Sequence, residues 1–221
     1  MGAGASATAS NIEQNVTAQF DALLPQGAAA LSLSQVLMLQ PIAGAKVQLR
    51  YLPILFLMDG DLDGVFKREE VVAFFELCSS TLKDVGRGEL DVHMQGRALL
   101  HLQRFLQTVG AIDTFCTWFV ALFNDGLQLA SQEMQAEFVS RDVAHGIHHV
   151  LHLESSNGYD AQGFLDLLQR MGEEEQIMDI GRNDLDDVVP VSVVKCFAKH
   201  YAASVCRNAG ALNSAAIGHP T

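Results

Sequence analysis

Residues 59–70 read DGDLDGVFKREE, and no other stretch narrows the choice of fold as far. Carboxylates stand at loop positions 1, 3, 5 and 12 (Asp59, Asp61, Asp63 and Glu70), with Gly64 at position 6. Four carboxylates this close in sequence repel one another unless a cation lies between them. A hard divalent cation takes about six to eight oxygens. The three aspartates offer theirs along one side of a tight turn, and Gly64 permits the reversal that brings the chain back. Val65 then supplies its backbone carbonyl, and Glu70 closes the shell with two oxygens from the first turn of the following helix. The spacing predicts a helix, a loop and a second helix around one ion. The alternative, an acidic surface turn, does not account for so many matched positions, or for apolar Phe66 at position 8. Lys67 at position 9 cannot ligate, and its charge is expected to weaken binding.

The pattern resembles the EF-hand calcium-binding superfamily. That resemblance implies an all-α fold, with EF-hand helix-loop-helix pairs in two lobes, an extra linker helix and a C-terminal helix. It implies Ca²⁺ as the ion, held by Asp59, Asp61, Asp63, Val65 and Glu70, with Mg²⁺ as the alternative at the same loop. EF-hands pair through a short strand bridge at position 8. Residues 24–35, LPQGAAALSLSQ, resemble a hand without its ligands. Leu31 is at position 8, Gln35 replaces the closing glutamate, and positions 1, 3 and 5 carry no carboxylate. Leu31 and Phe66 stand 35 residues apart, a spacing suited to paired hands, so a degenerate loop is expected to brace a calcium-competent one within residues 10–80. An ordinary helix–turn–helix is the alternative for the first loop.

Ahead of this pair, residues 1–9 are small and polar and predict a flexible terminus. MGAGAS places Gly2 and Ser6 in the acceptor pattern for N-myristoylation, which needs an unhindered glycine once Met1 is removed. A single acyl chain binds membranes only reversibly, which suits a switch better than an anchor. A helix over 10–23 follows, with Ile12, Val16, Phe20 and Leu23 at helical spacing. Residues 46–58 lead into the 59–70 loop, and Pro53 predicts a bend or a restart there. The exit helix is expected over 69–78, with Val71, Val72, Phe74, Phe75 and Leu77 mostly in the core and part of that face open to a partner. Residues 81–110 read as linker and helix: 79–92 are polar and contain glycine, and a helix is predicted over 94–109 before Gly110.

The second half repeats the theme weakly, as a degenerate pair over 111–172. Phe115, Trp118, Phe119 and Leu122 form a helical stripe. Leu129 and Tyr159 occupy the positions of bridge residues, but the loops around them lack the charged ligands. Between them, His145, His148, His149 and His152 fall on one helix face. A solvated polar face is the plain explanation. A metal site or a pH-sensitive patch are the others, since imidazoles bind zinc-like metals and charge below about pH 6.5. Residues 173–221 comprise an acidic segment, a helix starting at Pro190 with Val193, Val194, Phe197, Ala198 and Tyr201 on its apolar side, and a disordered tail from 207.

Charge narrows the partners. Against 14 Lys and Arg stand 26 Asp and Glu, a formal net charge of −12 that argues against nucleic acid. Cations, or a hydrophobic or basic helix of a protein partner, fit better. Cys78, Cys116, Cys196 and Cys206 lack CxxC spacing and read as free thiols. No secretory leader or spanning segment is visible, which predicts a cytoplasmic protein, peripheral at a membrane and of eukaryotic origin if Gly2 is acylated. No nucleophile motif or phosphate loop points to an enzyme. The chain is similar to N-myristoylated multi-EF-hand sensors, the recoverin-like and calcineurin B-like proteins. That likeness implies a calcium-responsive adaptor that presents an apolar surface to a partner. The competing expectation is a scaffold whose single Ca²⁺ or Mg²⁺ braces a static fold.

Overall fold

The computed structural model describes residues 3–40, 47–86, 88–123, 138–140, 167, 170–171 and 188–217. Over these residues the chain is all-α, with seven helices and two short antiparallel ribbons. It divides into two compact units, Met1–His101 and Leu102–Thr221. Among the described residues no helix is long and apolar enough to cross a membrane.

The first unit begins with α1 (Ala3–Leu23). The helix starts well before residue 10, because alanine at positions 3, 5, 7 and 9 has the highest helix propensity of any residue. The flexible terminus expected over 1–9 is therefore helical from Ala3. Gly2 lies outside the described residues. The chain then passes through β1 (Ala30–Leu31) into a single helical turn, α2 (Leu33–Val36). It re-enters regular structure at α3 (Leu52–Met58), whose start beside Pro53 is the restart that the proline predicts. Proline's missing N–H falls where a helix has no acceptor for it, and its fixed φ suits a first turn.

From α3 the chain runs through residues 59–70 and β2 (Phe66–Lys67) into α4 (Arg68–Val85). β1 and β2 pair antiparallel, with Leu31 opposite Phe66 and Ala30 opposite Lys67. Leu31 and Phe66 are the two residues whose 35-residue spacing predicts a bridge, and both are fully buried. α1 and α3 each pack against α4. Val16 and Phe20 from α1, Leu52, Leu55 and Phe56 from α3, and Val71, Phe74 and Phe75 from α4 are all buried in the core. Arg68 ties α4 to α1 twice: its guanidinium lies 5.5 Å from the Phe20 ring centre, and it pairs with the Asp21 carboxylate.

α4 is longer than expected. It continues past Cys78 because buried Thr81 keeps its inner face in the core, while Ser80 turns its hydroxyl back to the Leu77 carbonyl at 2.9 Å. It stops at Gly86, which takes φ +78° and donates to the Leu82 carbonyl at 3.1 Å. The polar stretch over 79–92 is thus mostly helix, with only a short break. α5 (Leu90–Leu106) starts earlier than 94, because Leu90, Met94, Ala98 and Leu102 form one completely buried stripe four residues apart. Burial pushes the Cys78 thiol up to about 12, so it stays protonated and unreactive at neutral pH. All four cysteines are free.

In the second unit, α6 (Ala111–Leu122) begins at Gly110, which sits at φ +77° as the residue before the helix. The stripe of Phe115, Trp118, Phe119 and Leu122 is completely buried. It packs on α7 (Val191–Ile217), whose Val193, Val194, Ala198 and Ala202 face inward. Aromatic rings fill the seam: Phe115 stacks on Tyr201 with centres 6.0 Å apart, and Phe119 meets Phe197 at the same distance. α7 runs to Ile217, so the disordered tail expected from 207 is helical for most of its length. Alanines 209, 211, 215 and 216 supply the propensity.

A second ribbon, β3 (Phe138–Ser140) against β4 (Val188–Pro190), pairs Val139 with Val189. The sequence predicted no pairing there. It placed bridge residues at Leu129 and Tyr159 instead, and both lie outside the described residues. So do most of the degenerate pair expected over 111–172 and His145, His148, His149 and His152.

Candidate metal centre

The loop between α3 and β2 is held from within by its own carboxylates. Asp59, the first residue after α3, is completely buried, and its Oδ2 accepts the Gly64 N–H at 2.9 Å. Gly64 can present that N–H because it adopts φ +85°, a region that costs an L-residue with a Cβ roughly 1–2 kcal/mol. Asp63 Oδ1 accepts the Val65 N–H at 3.0 Å and fixes the turn on the far side. Glu70 reaches back from the first turn of α4. Its Oε1 accepts from the N–H groups of Gly60 and Asp61 at 2.8 and 3.2 Å, and its Oε2 accepts the Lys67 N–H at 2.9 Å. One side chain thus joins the front of the loop to the start of the next helix, and satisfies a helix-capping N–H as it does so.

The outcome is a concentrated oxygen site. One carboxylate oxygen from each of Asp59, Asp61 and Asp63 lies within 4.8 Å of the others. A cation with oxygens at about 2.3–2.6 Å spans oxygens up to about 5 Å apart, so a single Ca²⁺ can meet all three without large movement. The donors are all hard oxygens, which suits Ca²⁺ or Mg²⁺ and not a thiophilic metal. Asp59, Asp61, Asp63 and Glu70, with the Val65 carbonyl, are the groups that would hold the ion. Comparison with family models, with curated proteins and with solved structures finds no match to this chain. The case for the site rests on its own geometry.

Three features of the paired loops go beyond their spacing. The first is Lys67. Its Nζ contacts Asp61 Oδ2 and stands 2.6 Å from Asp63 Oδ2. The hydrogen bond to Asp61, then that to Asp63, holds the Lys67 ammonium above the usual lysine range. The hydrogen bond from Lys67 in turn lowers the Asp61 carboxyl.

The second feature is Gln35, at the matching place of the first loop. Its Oε1 accepts the Ser32 N–H at 2.8 Å, as Glu70 accepts that of Lys67. Its Nε2 donates to the Leu23 carbonyl at 3.1 Å. A neutral amide has both a donor and an acceptor, so it closes this loop on backbone alone, with no charge for an ion to balance.

The third is Leu62, the one non-glycine residue at positive φ among the described residues, at +58°. The left-handed region strains a branched-chain residue, and glycine or asparagine takes it more readily. Replacing Leu62 with Gly is expected to stabilise the first unit by about 0.5–1 kcal/mol, the strain relieved outweighing the added unfolded-state entropy. Thermal melting followed by circular dichroism checks this, and a lower midpoint in the variant would show that the Leu62 side chain contributes more than its backbone costs.

Proposed function

We propose that this chain is a calcium-binding regulatory protein of EF-hand type. Residues 59–70 are its cation site, and residues 24–35 an ion-independent partner hand. The observation that carries the reading is the pairing of Leu31 with Phe66 across the two loops, beside three clustered aspartates and a Glu70 that reaches the same turn. Cation binding neutralises the carboxylates and draws Glu70 away from the Gly60 and Asp61 amides. That couples the ion to the start of α4. α4 buries Val71, Phe74 and Phe75 against α1 and α3, so a shift of α4 would bring apolar surface within reach of a partner helix.

The second reading, a static brace, is supported by a different observation. Glu70 already spans the loop through three backbone amides, so an ion could enter with little rearrangement. Calorimetric titration with Ca²⁺ and with Mg²⁺ tests the site itself, and one Ca²⁺ per chain is the expected result. An added hydrophobic dye separates the two readings: fluorescence that rises with Ca²⁺ supports the regulator, and binding without any dye response supports the brace. The absence of any binding heat for either ion would remove both.

Reversible membrane contact through an acylated Gly2 belongs to the regulatory reading and is settled by the intact mass of protein made in a eukaryotic host.

A further inference from the structure

A positive charge already lies among the carboxylates. The Lys67 ammonium touches Asp61 and Asp63, two of the three aspartates whose oxygens converge. An ion entering among these oxygens would stand close to the ammonium that Asp61 and Asp63 already hold, and the two positive charges repel and compete for the same two carboxylates. We propose that Lys67 is an intramolecular counter-ion, so that Ca²⁺ enters the loop by exchange with the lysine ammonium and not by filling an open cage. The proposal rests on the metal-binding reading above and adds how that site is regulated.

The local structure favours exchange over collapse. The Lys67 backbone is held independently of its side chain, through its N–H to Glu70 Oε2 and its pairing with Ala30. Only the flexible four-carbon stem has to swing. The Lys67 side chain is one-third exposed, at 33%, so the ammonium can reach water without disturbing the core. Asp61 and Asp63 are also exposed, so an incoming ion can reach them from solvent.

Two opposite effects follow from one residue. Without an ion, Lys67 offsets the repulsion among the loop carboxylates and keeps the loop folded. With Ca²⁺ present it is a competitor that moves the binding threshold to higher concentration.

The test compares the full chain with Lys67→Gln and Lys67→Arg. Calorimetric titration with CaCl₂ is expected to show Lys67→Gln binding about tenfold more tightly than wild type, since two exposed charge contacts no longer have to be broken. Lys67→Arg, which keeps the charge, is expected to bind no more tightly than wild type. Melting supplies a readout that a purely structural role would not produce. Lys67→Gln should melt below wild type in chelator and at or above it in saturating Ca²⁺. Equal affinities for wild type and Lys67→Gln, within about twofold, would overturn the exchange proposal and leave the metal site standing. A lack of Ca²⁺ binding in all three proteins up to millimolar ion would overturn the metal reading, and the proposal with it.

Discussion

Replacing Glu70 with Gln is expected to weaken Ca²⁺ binding by about a hundredfold, roughly 2.7 kcal/mol. The change is small in shape and large in chemistry. A carboxylate offers two equivalent anionic oxygens, whereas an amide offers one neutral oxygen and an NH₂ that repels a cation. The ion-free loop should also feel the change. Glu70 accepts three backbone N–H groups through two oxygens, and glutamine has an acceptor at one end only. If the amide oxygen keeps Lys67, the exposed Gly60 and Asp61 amides exchange the carboxylate for water, at a cost of about 1 kcal/mol. Gln35 shows how an amide can be used at the matching position, with a carbonyl (that of Leu23) waiting for its NH₂. The loop at 59–70 instead offers N–H donors at that point, so the same residue type fits one loop and not the other. Calorimetry on both proteins measures the affinity and chelator-state melting measures the loop. An unchanged Ca²⁺ affinity would mean that Glu70 is not a ligand.

The second large effect lies in the other unit. Phe119 is completely buried, with ring centres of Phe123 at 5.1 Å and of Phe115 and Phe197 at 6.0 Å. Cutting it back to Ala leaves a cavity at the centre of the α6–α7 seam, and a change of this kind costs about 3–5 kcal/mol. Trp118 is the sole tryptophan of the chain and is itself completely buried beside Phe115. Its fluorescence in a denaturant titration therefore reports this seam. The transition is expected to move to markedly lower denaturant in Phe119→Ala. A shift equivalent to less than about 1 kcal/mol would mean that the seam closes over the lost ring. Ca²⁺ affinity should not change, because every proposed ligand lies in the first unit.

The parts of this chain that were legible in sequence are those fixed by local spacing. Helical stripes such as 115, 118, 119 and 122 repeat within a turn or two, and the loop carboxylates must fall at set positions for one ion to reach them. The pairing of Leu31 with Phe66 could be anticipated because both loops share one length. What escaped depends on which end of a pattern the core happens to use. α4 and α5 extend across polar residues because Thr81 and Leu90 are covered by tertiary contacts, which composition does not reveal. β3 and β4 pair across a long separation, where no short-range rule selects the partner. The two β-branched residues before Pro190 were the only local hint. For Lys67 the sequence gives a residue that cannot ligate and a charge expected to weaken binding, whereas the contacts of its ammonium with Asp61 and Asp63 are a matter of side-chain placement.

The bridge between the two loops also sets what may vary in the first of them. Side chains alternate faces along a strand, so slipping β1 by one residue against β2 would turn Leu31 out of the core and bring Ala30 in. Nothing in residues 24–35 needs to be acidic, because Gln35 closes that loop on the backbone alone. Substitutions there should be cheap over most positions, whereas a single inserted or deleted residue ahead of Leu31 would misalign the support on which Phe66 and the neighbouring proposed cation site rest. The first loop is free in its chemistry and bound in its length.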